Sequence, residues 1–258
     1  MQKREVVVVS GARTAIGDFG GSLKDQAPSE LAGKLVAEVV RRAAVEPGLV
    51  AHSVFGNVIH SEPADMYMGR VAALKGGLAE QTASLTVNRL CGSGLQAILS
   101  AAQQIELGVC DTAVAGGAES MSRAPYWLQT ARFGQRMGNG EMIDAMTAAL
   151  HCPMEKIHMG GTAENLAEKY GISREDQDAL AVESHRRAQR AIEEGRFQEQ
   201  ILPIELQGRK GPIVFDQDEH VRFDCGVADM AKLKPVFKRE GTVTAGNASG
   251  LNDAAAAV

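Results

Sequence analysis

The stretch SLTVNRLCGSGLQAILSAAQQIEL, residues 84–107, decides the fold. It opens as a strand over 84–88, turns at a glycine-flanked corner around Cys91 and continues as a helix over 94–107 that Gly108 ends. Leu95, Ile98, Leu99, Ala102 and Ile105 recur at helical spacing and predict that helix's buried stripe. Working outward, EVVVVS at 5–10 is a β-branched run with the pattern of a strand buried on both faces. Residues 53–59 and 112–116 predict further strands, and 68–76 a helical segment. Ser29 is placed to cap a helix over 30–44, with Leu31, Leu35 and Val39 on its apolar side. Strands alternating with helices in this way predict an α/β layered fold, its strands sandwiched between helices.

From Ser122 the texture changes. Residues 122–141 carry three arginines, three aromatics and several glycines without periodicity, which predicts an excursion rather than core. Helices are expected over 162–170, from Thr162, and over 174–194, where Ser173 and Asp176 form a capping box. Residues 201–206 and 212–216 predict a hairpin. The expected organisation is therefore an α/β domain over 1–121, a loop subdomain over 122–244 and a return to the first domain over 245–258. TAGNASGLNDAAAAV at 244–258 is a small polar loop leading into an apolar run. Natural domains seldom end inside a buried strand, so more chain is expected to follow.

The 258 residues are 45% apolar and 23% charged, with 27 basic against 32 acidic side chains and a net charge of −5. This is globular composition without the basic excess of a nucleic-acid binder. No apolar run approaches the roughly 20 residues of a membrane span, and no secretory leader is expected at the start. The four cysteines, at 91, 110, 152 and 225, include no CxxC pair, which argues against zinc. Reduced thiols in a cytoplasmic setting are expected.

Cys91 has two readings: a small buried residue packing a turn, or a nucleophile. A thiolate is the reactive species, and a helix start offers it partial positive charge and N–H groups. Gly92 and Gly94 let a ligand approach the backbone. His158, before a helix, is a candidate base or ligand contact, or simply a solvated loop histidine. Arg209, Lys210, Arg222, Lys232, Lys234, Lys238 and Arg239 face five acidic residues over 209–239, so a phosphate-bearing ligand would be best received there. The loop 244–252 lacks the Lys-Ser/Thr ending of a phosphate-binding P-loop, and no GxGxxG follows a strand.

Taken together, NRLCGSGLQAI (88–98), GGAESMSRAPY (116–126), IHMGGTAEN (157–165) and TAGNASGLNDAAAA (244–257) resemble, in order, four signatures of the thiolase family. The similarity extends to SGARTAIGDFGGSLKD (10–25) and SREDQDALAVESHRRAQRA (173–191), and FGNVIHSEPADMYMGRVAA (55–73) is similar to bacterial β-ketothiolases. The resemblance implies a layered α-β-α fold, the N-terminal half of an α-β-α-β-α sandwich, with an inserted loop subdomain. It implies reversible condensation of two acetyl-CoA, or of acetyl-CoA with a short acyl-CoA, to a 3-ketoacyl-CoA, and the reverse thiolysis. Cys91 would carry the acyl group, its backbone N–H serving in an oxyanion hole. Leu150, His158 and Met159 would line the pantetheine tunnel, Ala245, Gly246 and Ser249 would contact pantetheine, and Arg222 would lie by the adenine nucleotide. Coenzyme A enters as substrate, with no permanently bound cofactor and no metal. Through the 122–141 excursion, family members form tetramers from dimers, so a homo-oligomer is expected, with neither nucleic acid nor membrane as partner.

One departure stands out. Thiolases carry a general-base histidine in Gly-His-Pro, a second acid/base cysteine in Cys-x-Gly-Gly and an Asn-Glu-Ala-Phe segment, all in a C-terminal half. None occurs here. Two expectations follow: an N-terminal portion of a working thiolase, or a catalytically incomplete CoA-binding or structural fragment. A condensing enzyme acting on carrier-protein thioesters fits less well, because IHMGG and TAGNASG match the CoA-tunnel signatures.

Overall fold

The computed structural model describes residues 4–208 and 210–258; Arg209 of the basic cluster lies outside the described residues. In chain order the elements are β1 (Ala12–Arg13), β2 (Gly17–Asp18), α1 (Pro28–Ala43), β3 (His52–Gly56), α2 (Met68–Lys75), β4 (Ala83–Val87), α3 (Ser93–Glu106) and β5 (Ala113–Ser120). There follow β6 (Tyr126–Trp127), β7 (Ile143–Asp144), α4 (Ala145–Ala149), α5 (Met159–Tyr170), α6 (Arg174–Glu193), β8 (Ile204–Gly208), β9 (Gly211–Phe215), α7 (Val227–Met230) and β10 (Asn252–Ala257). They divide between two compact units. The first comprises the chain through Ala124, Gln198–Glu219 and Asn252–Val258; the second comprises Pro125–Phe197 and His220–Leu251. The hairpin β8–β9 thus belongs with the first unit, and 245–251 with the second, unlike the boundaries expected at 122 and 244.

The first unit is built on a sheet ordered β1-β10-β5-β3-β4, with β2 also on β10. β3 pairs in parallel with β4 and β5, whereas β10 runs antiparallel to β5, Asp253 opposite Ser120 and Ala257 opposite Gly116. Alternation along β3 separates two helical layers. Val54 packs with Ala97, Ala101 and Ala115 beneath α3, while the Ser53 hydroxyl donates to the Gly69 carbonyl of α2 (3.0 Å). Burying Phe55, Leu31, Leu35, Val36 and Val39 completely on the α1 side stabilises this layer by roughly 1.5–3 kcal/mol per side chain. Arg13 anchors β8–β9, donating to both carboxylate oxygens of Asp218 (2.7 and 3.0 Å).

Several sequence expectations are corrected. Residues 5–10 form no strand, and Val7, Val8 and Val9 are exposed. A strand needs a neighbour; in the register that sets Ala12 opposite Ala257 and Arg13 opposite Ala256, no described residue faces Val6–Val9. The stripe of α3 that meets the sheet is Ser93, Ala97 and Ala101, while Leu95 (65%) and Leu99 (46%) are exposed. Small side chains win that face because the helix comes very close: a Cβ on Gly56 would stand 2.7 Å from Ser93 Cβ. Ser29 is no cap. α1 starts at Pro28, and the Ser29 hydroxyl inside it donates to Glu62 (3.3 Å).

In the second unit β6 pairs with β7, and Asp144 caps α4 by accepting from the Met146 N–H. Ser173 caps α6 as its box predicts, accepting from the Asp176 N–H (3.0 Å). α5 begins at Met159 rather than Thr162, because His158 supplies the cap.

Candidate active site

Cys91 is exposed at the corner between β4 and α3. The turn holds itself rigidly. Asn88 Oδ1 accepts from the Leu90 N–H (3.0 Å), Gly92 N–H donates to the Arg89 carbonyl (3.1 Å), and Ser93 Oγ accepts from the Arg89 N–H (2.8 Å). Leu90, at φ +49°, occupies the left-handed region where a branched side chain is uncommon. That twist turns its carbonyl to accept from both the N–H (2.9 Å) and the hydroxyl (2.6 Å) of Ser93. No side chain caps α3. An uncapped helix start directs backbone N–H groups toward whatever anion stands there, which suits a developing oxyanion.

The second unit gathers most of the other sequence candidates. Met159 N–H donates to the Leu150 carbonyl and Cys152 N–H to the Ile157 carbonyl (both 2.8 Å), drawing 150–159 into a closed loop. His158 Nδ1 accepts from the Gly160 N–H (3.0 Å) and so caps α5. With Nδ1 accepting, the neutral ring carries its proton on Nε2. The ring stacks on Phe237 (4.6 Å, 16°) and meets His151 edge-on (5.2 Å). Burial, then the neighbouring His151, pushes its pKa down from 6.5. Gly160 is required here, since a Cβ would stand 2.2 Å from the Phe237 ring.

The small-residue loop is fastened from both helices. Glu164 of α5, 5% exposed, accepts from the N–H groups of Thr242 (2.9 Å) and Val243 (2.8 Å) and from the Thr242 hydroxyl (3.1 Å). Burial alone would raise its pKa; the Thr242 and Val243 amides, the hydroxyl and Lys238 together hold it below the usual range. Asp178 of α6 accepts from Asn247 Nδ2 (2.9 Å), and Asn247 Oδ1 accepts from the Thr244 N–H (2.7 Å). Ala245 lies exposed between these fixed points, and Ser249 lies exposed just beyond them. Gly246 has no room for a side chain against Met230 and Leu233. Val236 N–H donates to the Val243 carbonyl (3.0 Å), which ties this loop to the strand of chain bearing Phe237.

Arg222 stands elsewhere in the unit. Its N–H donates to His185 Nδ1 (3.2 Å), and it lines a surface cavity of about 460 Å³ with Arg186, Arg190 and Cys225. Of the basic stretch, Lys232 pairs with its neighbour Asp229, and Lys238 pairs with Glu168 of α5. Sequence reasoning misses Phe237, Glu164, Asp178 and Asn247, because their contacts with His158, Thr242, Val243 and one another span 69 to 79 residues. Among the described residues, no group of three His, Cys, Asp or Glu side chains could hold a metal, and no helix is long and apolar enough to cross a membrane.

A sheet layered between helices, with an exposed cysteine at a strand-to-helix corner, defines the class: residues 6–258 match the family described as thiolase, N-terminal domain, and the chain belongs to the thiolase family. More particularly, it is 63% identical over 256 residues to the beta-ketothiolase BktB of Cupriavidus necator, covering 99% of this chain and 65% of that protein. It is 45% identical over 258 residues to an acetyl-CoA acetyltransferase of Syntrophomonas wolfei, again covering 65% of that relative. The fold superposes on the crystal structure of the Bacillus anthracis acetyl-CoA acetyltransferase with a TM-score of 0.95 at 46% identity, covering 99% of this chain and 65% of that one. For human mitochondrial 3-ketoacyl-CoA thiolase in complex with CoA the TM-score is 0.92 at 38% identity, covering 97% of this chain and 63% of that one. The chain therefore spans about 65% of the length of the curated relatives it matches.

Proposed function

We propose that this chain is the nucleophile-bearing portion of an acyltransferase that interconverts acetyl-CoA and 3-ketoacyl-CoA by condensation and thiolysis. The observation that carries the reading is the exposed Cys91 thiol at a rigid turn before an uncapped helix. The Cys91 thiolate adds to a thioester carbonyl, the carbonyl carbon–sulfur bond to CoA breaks, and CoA leaves as the thiolate with that electron pair. The acyl group remains on Cys91 until a second acyl-CoA carbanion or free CoA takes it. The Cys91 N–H receives the oxyanion in this scheme. Leu150, His158, Met159, Ala245, Gly246 and Ser249 contact the pantetheine arm, and Arg222 the adenine nucleotide. Neutral His158 is supported in this role by its single available donor, Nε2–H.

Coenzyme A is substrate here, with no resident cofactor. The protein works in the cytoplasm, where reducing conditions keep Cys91 a thiol. It assembles as a dimer or tetramer, a reading supported by the exposed Trp127, Phe133, Met137 and Met142. Because these 258 residues hold no Gly-His-Pro histidine and no Cys-x-Gly-Gly cysteine, turnover requires a base from outside them. The alternative, a CoA-binding fragment without turnover, rests on the same departure.

In the complete enzyme, Cys91→Ser should abolish acyl-enzyme formation from acetyl-CoA while CoA binding persists. Retained thiolysis of acetoacetyl-CoA by that variant would sink the reading. The 258-residue chain alone should bind CoA without turning over, measured by calorimetry beside the same assay.

A further inference from the structure

Glu119 stands near the end of β5, at the carboxyl edge of the parallel strands, and no step of the proposed chemistry uses it. Its two oxygens divide three donors. Oε2 accepts from the Val58 N–H (2.9 Å), while Oε1 accepts from the Ile59 N–H (3.0 Å) and from Asn57 Nδ2 (3.3 Å). Two successive backbone amides closing on one carboxylate form a small anion nest. Asn57, fully buried, is fixed further by donating from Nδ2 to the Ala118 carbonyl (2.9 Å). The segment after β3 is thus wrapped around a single acidic side chain.

That segment is bonded to the loop carrying Cys91. Asn57 N–H donates to the Val87 carbonyl (3.2 Å), and Asn88 Nδ2 donates to the Val58 carbonyl (3.4 Å). Asn88 then accepts from the Leu90 N–H, the residue whose left-handed twist sets the start of α3. These three donors are all neutral. Burial, the largest effect, and nearby Asp65 push its carboxyl above the usual range, with the Ile59 and Val58 amides pulling the other way. A glutamine has one acceptor oxygen and would leave either Val58 or Ile59 facing a donor, so the carboxylate shape is what both amides require.

We propose that Glu119 is a positioning residue for Cys91, holding residues 57–59 and, through Asn88, the turn that presents the thiol at the start of α3. The proposal rests on Cys91 as nucleophile, and its test reads the thiol without needing turnover. In the full 258-residue chain, iodoacetamide modification of Cys91 at pH 7 is followed by peptide mass spectrometry, with amide exchange at Leu90 read alongside. Glu119→Ala should slow Cys91 about fivefold, since the sulfur loses its fixed place at the helix start, and Glu119→Gln should restore part of that rate. Asn88→Ala should slow it comparably, and the double variant should be no slower than the slower single one, because both act along one path. Leu90 exchange should rise in Glu119→Ala while Ala97 stays protected.

Unchanged Cys91 and Leu90 rates in folded Glu119 variants would overturn the proposal, as would multiplicative effects in the double variant. Should Glu119→Ala unfold, seen as modification of buried Cys110, the Glu119→Gln and Asn88→Ala comparison decides on the same terms. Failure of acetyl-CoA to acylate Cys91 in the complete enzyme, with these alkylation effects intact, would remove the nucleophile reading and leave the positioning path standing.

Discussion

His158 is the residue at which local structure and the proposed ligand chemistry meet. Its Nδ1 is committed to the Gly160 N–H, so a proton arriving there must break the cap of α5. Its pKa lies below 6.5 when folded, so the ring's contribution to stability is whole above about pH 6.5 and is lost as pH falls through the folded value. Thermal melts should therefore show wild-type protein losing more stability between pH 7 and 5 than His158→Asn, which keeps a cap but does not titrate. At pH 7.5 the two should differ by no more than about 1 kcal/mol. A wild-type curve parallel to that of the variant would exclude the coupling. The sequence marked His158 as notable yet placed the helix start at Thr162, since imidazole is not among the usual capping side chains and its partner Phe237 is remote in sequence. Cys91 was more legible: the glycines around it and the strand and helix beside it are all local signals.

At the scale of elements, the seam between β3 and α3 shows what periodicity can and cannot tell. Periodicity places the helix within a residue at each end but assigns its buried side wrongly. α3 is apolar nearly all round, and the larger side chains drew the stripe toward Leu95 and Leu99. The sheet-facing side is chosen instead by closeness of approach, which only Ser93, Ala97 and Ala101 allow. Two glycines at this corner should consequently behave in opposite ways. Gly56→Ala places a Cβ 2.7 Å from Ser93 Cβ and 2.9 Å from its carbonyl carbon, so α3 must shift at its Cys91 end. A loss of about 1–3 kcal/mol is expected in urea melts, with slower alkylation of Cys91. Gly94→Ala, in the first turn of α3 with nothing within 4 Å of the new Cβ, should gain about 0.5–1 kcal/mol. Equal effects from the two would contradict the packing described.

The clamp on the 242–249 loop belongs to the same scale. Glu164 is held below its ordinary pKa of 4.5, so its contribution is complete above about pH 4.5 and is lost as pH falls further. Glu164→Gln keeps the shape but offers one acceptor oxygen where three donors converge. A loss of about 1–3 kcal/mol is expected, with faster amide exchange at Thr242 and Val243 and weaker CoA binding by calorimetry. Full CoA affinity despite a loosened loop would remove 245–249 from the binding surface. None of this clamp was visible in sequence, because a carboxylate in mid-helix ordinarily reads as solvated surface.

For the molecule as a whole, the apolar residues left in solvent say as much as the core. In the first unit Val7, Val8 and Val9 are each about two-thirds exposed, Leu95 and Leu99 stand on the outer side of α3, and a surface cavity of about 450 Å³ opens among Gly94, Ile98, Gly116 and Ala257. The sequence predicts Val7, Val8, Val9, Leu95 and Leu99 as core because hydrophobicity announces burial without saying what does the burying. Scattered apolar side chains are ordinary on a protein surface, but grouped ones favour association. The 258-residue chain should therefore bind a hydrophobic dye strongly and sediment as more than a monomer at micromolar concentration. Leu95→Gln with Leu99→Gln should reduce both signals while moving stability by no more than about 1 kcal/mol, since neither side chain leaves a core position. Ala97→Gln, on the inner face of the same helix where nothing is exposed, should cost several-fold more. Sedimentation with dye fluorescence distinguishes the outcomes. If the leucine pair proved as destabilising as Ala97→Gln, the outer face of α3 would be packed in solution, and the side of the helix assigned to the sheet would have to be reconsidered.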